Sequence, residues 1–149
     1  MAKTFLNTNK KNLYLKFVGF LIKKGNKINA KKIIENAFSN ISRKTNISAH
    51  QILKKVFLKL NSFVEIKKVR IRRRTHFVPF YTNSKRKLYL AVKWIIQSVQ
   101  ENRNKISFSE KLFLEVYDII KKRSSKTFKK RNLNISQALL NKSNIHYRW

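Results

Sequence analysis

The chain has 149 residues, 42% of them apolar and 12% aromatic, which excludes a disordered basic tail and suffices for one domain with a core of its own. Thirty-six Lys and Arg against six Asp and Glu give a formal charge of +30. Self-repulsion on that scale opposes compactness unless a polyanion relieves it, so a nucleic acid is the expected partner; the absence of cysteine excludes disulfides and a thiolate zinc site.

Residues 1–12 read as a short basic arm carrying Lys3, Lys10 and Lys11. They lack the long apolar core of a secretory signal and the Arg- and Ser-rich character of a transit peptide. Residues 13–149 read as a single domain. Only two glycines and one proline occur, which favours long helices over a turn-rich β architecture. Leu13, Tyr14, Phe17, Val18 and Leu21 recur at helical spacing, and Gly25-Asn26 reads as the stop. Ala30, Ile33, Ile34, Ala37, Phe38 and Ile41 form a second stripe, with Asn29 as its expected N-cap. Ser48-Ala49-His50-Gln51 has the form of a capping box and opens a third stripe of Ile52, Leu53, Val56, Phe57 and Leu60.

From about residue 63 to 82 the helical period is replaced by β-branched and aromatic residues. Val64-Glu65-Ile66-Lys67 alternates, and so does Val69-Arg70-Ile71-Arg72, but with opposite parity, which predicts a bulge or break between them. His76 to Tyr81 is the return strand, and Pro79 within it calls for an edge position. Helical spacing resumes at Leu88, Ala91, Val92, Ile95, Ile96 and Val99, with Ser84 as candidate cap. Ser107 to Glu110 forms a second capping box ahead of Leu112, Phe113, Val116, Tyr117 and Ile120. A last, mostly polar helix is expected between Lys126 and Asn141. The predicted fold class is therefore mainly α: about six helices in a single bundle-like domain, with a protruding β-hairpin inserted between the third and fourth.

An enzyme needs converging titratable groups. Glu115 and Asp118 lie three apart, but near Lys111, Lys121 and Lys122 they read as helix-surface carboxylates. None of His50, His76 and His146 pairs with a carboxylate at ligand spacing, and no glycine-rich phosphate loop exists. No catalytic residue, metal site or cofactor is expected.

Binding groups are plentiful. The hairpin offers Lys67, Lys68, Arg70, Arg72, Arg73 and Arg74, and guanidinium forks suit phosphate oxygens. Lys85, Arg86 and Lys87, with Lys93, cluster at the start of the fourth helix, where orphan N–H donors add a positive field. Lys129, Lys130 and Arg131 form a third group, and Arg148 stands near the end of the chain. Trp94, Tyr147 and Trp149 are candidate stacking residues. Phe77, Phe80 and Tyr81 could stack on bases, but packing of the ribbon onto the helices is the favoured reading for Phe77, Val78 and Phe80. Charge alone does not separate RNA from DNA, and an architectural DNA-binding protein with a basic ribbon in a groove is the alternative.

These residues carry a resemblance. Leu15 to Ile41, with Lys16-Phe17-Val18 and Gly25, resembles the first two helices of the small-subunit ribosomal protein family numbered seven, bacterial type. Val64 to Lys67 and Thr75 to Pro79 resemble its ribbon strands, and Arg86-Lys87, Leu90-Ala91 and Lys93-Trp94-Ile95 its fourth helix. Lys129-Lys130-Arg131 and the closing His-Tyr-Arg-Trp match its C-terminal region.

The resemblance implies a six-helix domain with a hairpin that binds the 3′ major (head) domain of small-subunit ribosomal RNA and helps the head assemble. It also implies neighbouring head and platform proteins as partners, and a hairpin near the exit-site transfer RNA and the messenger path. Two departures stand out: Arg72-Arg73 occupies the hairpin tip where the family usually has Gly-Gly, and the N-terminal arm is short. Frequent Asn, Lys, Ile and Phe with scarce Gly, Ala and Pro suggest an AT-rich genome. The expected setting is a ribosome in a mitochondrion, encoded there, with a plastid or an AT-rich bacterial cytoplasm as alternatives.

Overall fold

Helix ends explain the spacing of this chain better than helix middles do. The computed structural model describes residues 14–121 and 123–148; the basic arm, Leu13, Lys122 and Trp149 lie outside them. Helix α1 covers residues 14–21 of this range, and the chain then turns through Lys24 and Gly25, both at positive φ (51° and 75°). Glycine takes such a φ without steric cost. Helix α2 (Lys27–Thr45) follows, capped by Asn26, whose side chain accepts from the Asn29 N–H at 3.4 Å. Asn29 is thus the capped residue rather than the cap. The apolar stripe begins only at Ala30, one turn inside the helix, which made the start look later than it is.

Ser48 caps α3 (Ala49–Leu60), and Ser107 with Glu110 forms the complete reciprocal box of α5 (Phe108–Ile120). Helix α4 (Ser84–Gln100) begins at Ser84 itself, with Asn83 at the cap position but no side-chain cap bond. Helix α6 (Lys126–Leu140) is capped by Ser125 and also from outside. Glu115 of α5 accepts from the Thr127 N–H at 2.9 Å and from its hydroxyl at 2.6 Å. Glu115 therefore fastens one helix to the next, where the sequence suggested only a surface carboxylate. A 3₁₀ segment (Lys142–Tyr147), not foreseen, closes the described chain.

The core forms where α2 packs on α5 and α3, and α4 on α5 and α6. Ile34, Ile41, Ile52, Leu60, Ile95, Leu112 and Ile119 are fully buried. Phe17 of α1 meets Phe38 and Phe57 edge-on, at centroid distances of 6.0 and 6.2 Å. Such pairs contribute about 0.5–1.5 kcal/mol beyond area burial.

Strands β1 (Val64–Ile71) and β2 (Arg74–Tyr81) pair antiparallel between α3 and α4. The register runs one-to-one from Val64 opposite Tyr81 to Ile71 opposite Arg74. No bulge interrupts it, contrary to the parity argument. The apolar side changes because the cover changes. Near the foot, Val64, Pro79 and Tyr81 share one face and line a hollow with Ile135 and Leu139 of α6. Near the tip, Ile71, Arg74 and His76 share the opposite face, where His76 meets Tyr147 of the 3₁₀ segment at 4.8 Å between centroids.

Pro79 sits where a missing N–H does no harm. Its carbonyl accepts from Arg148 Nε at 2.5 Å, and in an antiparallel strand a residue's N–H and C=O point to the same side. Pro79 thus faces the outer edge of β2. Asn144 likewise donates to the Phe77 carbonyl at 3.2 Å. Side chains from the end of the chain so blunt an edge that would otherwise invite further strand pairing.

Candidate nucleic-acid interface

A two-residue turn, Arg72-Arg73, joins the strands. Arg72 takes φ 52° and Arg73 is not among the positive-φ residues, the φ pattern of a type II′ connection whose twist matches the strands. A non-glycine side chain at such a positive φ costs on the order of 1–3 kcal/mol. The strain coincides with the densest charge: Arg72, Arg73 and Arg74 are all exposed and line a hollow of about 530 Å³ with Ile71, His76 and Tyr147. Lys68 and Arg70 project from one face of the ribbon and Lys67 from the other, all three exposed.

Cations from the ribbon, α4 and the C-terminal segment lie over the aromatics on and beside the ribbon. Lys68 lies 5.6 Å from the Phe77 ring centroid, directly across the strands, and Lys67 lies 4.9 Å from Phe80. Lys87 covers Phe63 at 4.0 Å and Arg148 covers Tyr81 at 4.9 Å. Each exposed contact of this kind contributes about 0.5–1 kcal/mol. Val78 is fully buried, but Phe77 remains 45% exposed. Burial therefore describes Val78 and not Phe77, because neighbouring residues of a strand face opposite sides, and Phe80 is half-buried.

Several basic residues are engaged within the chain. Arg86 forms a two-pronged ion pair with Glu65, which raises the Arg86 pKa chiefly through that hydrogen bond. Lys130 pairs with Glu101, and Arg131 Nε donates to the Asn61 carbonyl at 3.2 Å. Arg131 and Arg148 both line the hollow beside the ribbon's foot. Lys85 and Lys129 are exposed, and Lys93 is half-buried. Trp94 is only 8% exposed, so it packs in α4 and has no open ring face for stacking. Tyr147 is half-buried between His76 and His146.

The acids explain why the surface is so positive. Glu35 accepts from the Tyr14 hydroxyl at 3.0 Å, Glu110 completes its capping box, and Glu65, Glu101 and Glu115 hold the partners named above. Five of six carboxylates in the chain are thus engaged in internal ties, and only two of those ties, to Arg86 and Lys130, neutralise a cation. Among the described residues, no group of three or more His, Asp or Glu is placed to hold a metal.

Sequence reasoning missed one feature near α4. Lys16 Nζ of α1 donates to the Lys85 carbonyl at 2.7 Å, and its pKa is lowered by burial and then by the charge of Lys85. Beside it, Phe20 and Tyr89 meet with centroids 5.0 Å apart, and the Arg86 guanidinium lies 4.7 Å over Tyr89. Tyr89 falls off the apolar stripe of α4 and Phe20 off that of α1, so periodicity gave no signal for either.

A family model described as Ribosomal protein S7p/S5e matches residues 2–142. A protein named small ribosomal subunit protein uS7 from Dichelobacter nodosus is 32% identical over 134 residues, 90% of this chain and 85% of its own. The uS7 of Wigglesworthia glossinidia brevipalpis is 33% identical with the same coverage. A protein named uS7m from Reclinomonas americana is 30% identical over 138 residues, 93% of this chain and 86% of its own. The helices with an inserted basic ribbon and a match over nine-tenths of the chain lead to one conclusion: the chain belongs to the S7p/S5e family of ribosomal proteins.

Proposed function

We propose that this chain is a structural, RNA-binding constituent of the small ribosomal subunit. It acts in translation by scaffolding rather than by catalysis. Its ligand is the 3′ major domain of small-subunit ribosomal RNA, and its work is to neutralise phosphates and order an RNA junction as the head assembles. One observation carries this reading: an antiparallel ribbon projects exposed Lys67, Lys68, Arg70, Arg72, Arg73 and Arg74 while the acids are engaged elsewhere. Lys85, Lys87, Lys93, Lys129 and Arg148 extend the basic surface from α4 to the end of the chain. Arg86, Lys130 and Arg131 serve mainly to brace it.

The names of the relatives support the assignment to the small subunit. By the same reading, the ribbon tip lies near the exit-site transfer RNA and the messenger path, and head and platform proteins are the protein neighbours. Coding bias and likeness to the protein named uS7m support a ribosome in a mitochondrion. The alternative, duplex DNA, is favoured by one feature: a two-stranded ribbon is narrow enough for a major groove. Competition between a transcript of the 3′ major domain and duplex DNA of equal length separates the two. Preference for the transcript is expected, and equal competition by DNA would assign the ribbon to DNA.

A further inference from the structure

We propose that the hollow between α1 and α4 is a stacking slot for one unpaired nucleobase of the bound RNA, a contact separate from the ribbon. The inference rests on the reading that the chain binds ribosomal RNA. The hollow is lined by Leu15, Lys16, Gly19, Phe20 and Tyr89, measures about 490 Å³ and is broad and open to solvent, so it offers a shelf for one face of a ligand rather than an enclosed pocket. The Phe20 and Tyr89 rings touch each other, with centroids 5.0 Å apart and planes at 48°, and both keep partly exposed surface, so a base would stack on their open side and not between them.

Gly19 is what keeps the slot open. It is exposed on a helix, and a Cβ built there would meet no atom within 4 Å. Glycine inside a helix costs about 1 kcal/mol relative to alanine, and no positive φ requires it here. A residue that is costly to the helix and unnecessary for its backbone leaves free space beside two aromatic rings.

The rim chemistry selects the occupant. Arg86, itself fixed by Glu65, covers Tyr89 at 4.7 Å, and Lys16 stands at the Lys85 carbonyl. Arg86 occupies one face of Tyr89 and so holds the ring before any ligand arrives, which lowers the ordering cost of binding and leaves Phe20 and the rest of Tyr89 as the stacking surface. Aromatic surface ringed by cations fits a ligand with a π-face beside a negative charge. A nucleotide of single-stranded RNA has both. An apolar protein segment would need acids of its own to match this rim.

The test uses the full chain and a transcript of the 3′ major domain. A Cβ at residue 19 meets no atom within 4 Å, so the side chain of Gly19→Ile should project into the hollow, and the helix should keep or gain stability, read by circular dichroism. Its affinity for the transcript should fall roughly 5- to 100-fold. Tyr89→Ala should lose a similar factor, while Tyr89→Phe should stay near wild type. The dependence on salt should be unchanged in all three, because no phosphate contact is removed. In wild type and Tyr89→Phe, one base of the transcript should be protected from chemical modification, and that protection should vanish in Gly19→Ile.

Folded Gly19→Ile and Tyr89→Ala that bind with wild-type affinity and footprint overturn the slot and leave the RNA reading standing. A wild-type chain that binds transcript no better than duplex DNA overturns the RNA reading, and the slot with it. Loss of binding to an acidic aromatic peptide, with RNA affinity intact, assigns the hollow to a protein and also overturns the proposal.

Discussion

Arg86 of α4 grips both carboxylate oxygens of Glu65 on β1, twenty-one residues away, and so ties the foot of the ribbon to the helix that follows it. Glu65 is 8% exposed as a residue, so its charge is almost removed from water and depends on this partner. The Arg86 side chain remains 45% exposed, which moderates the energy through solvent screening. Arg86→Ala leaves a nearly buried carboxylate unpaired and is expected to cost about 1–3 kcal/mol, measured by urea unfolding. Arg86→Lys should recover less than half of that, since an ammonium cannot make the two-pronged contact. An unchanged midpoint for Arg86→Ala would show that the ribbon's foot is held by apolar packing alone.

Arg72→Gly separates strain from binding. Glycine removes the side-chain penalty of φ 52° but adds unfolded-state freedom, so a net gain of about 0–1 kcal/mol is expected. Affinity for RNA should fall at the same time, with a shallower salt dependence. A variant that loses stability would mean that the Arg72 side chain makes contacts outweighing its backbone strain.

The grip itself is tested by Arg70, Arg72 and Arg73 replaced together by Ala. Helix content should persist, because none of the three is buried. Removing one phosphate partner should lower the slope of log affinity against log salt by about 0.7–0.9. Equal affinity in wild type and the triple variant, by filter binding, would remove the ribbon from the interface.

Glu115 joins α5 to α6 through the Thr127 N–H and hydroxyl, and Thr127 is fully buried. Glu115→Ala should destabilise the fold by about 1–3 kcal/mol. Hydrogen exchange should localise the loss to the start of α6. Exchange that rises uniformly along the chain would contradict a local cap.

Alkaline pH offers a fourth measurement on stability. The Tyr14 hydroxyl has its pKa raised above the ordinary 10.0, first by burial and then by its hydrogen bond to Glu35. A raised value means that the folded chain holds this proton longer than the unfolded chain. The stabilisation is full below pH 10.0 and is lost as pH rises through the folded value. Tyr14→Phe should flatten that part of the decline, seen by thermal melts across pH 9 to 12. Parallel declines in the two proteins would assign it to other groups.

How far the sequence carried the fold depends on where the signal lay. Ser48, Ser107 and the stripes behind them announced α3 and α5, because caps and period are local chemistry. The ribbon's place was legible from β-branched alternation, and Pro79 fell on the outer edge as its missing donor requires. The parity change was misread, since it reflects α6 covering one face and Tyr147 the other, and no local pattern encodes those covers. The acids are the same kind of case. Glu65 finds Arg86 and Glu101 finds Lys130 only after folding, so charge counting located the basic clusters but not which members are braces. Phe20 and Tyr89 meet across two helices and lay off both apolar stripes, so their hollow had no trace in periodicity.

The central claim is that this chain grips ribosomal RNA through phosphate contacts centred on the ribbon. The most direct measurement is the affinity of the full chain for a transcript of the 3′ major domain between 50 and 200 mM salt, with duplex DNA as competitor. If about six to ten phosphates are contacted, affinity should fall linearly on logarithmic axes by roughly 10³–10⁵-fold, and the transcript should prevail over DNA throughout. Affinity that stays flat across this range, or DNA that competes as well as the transcript, would contradict the account.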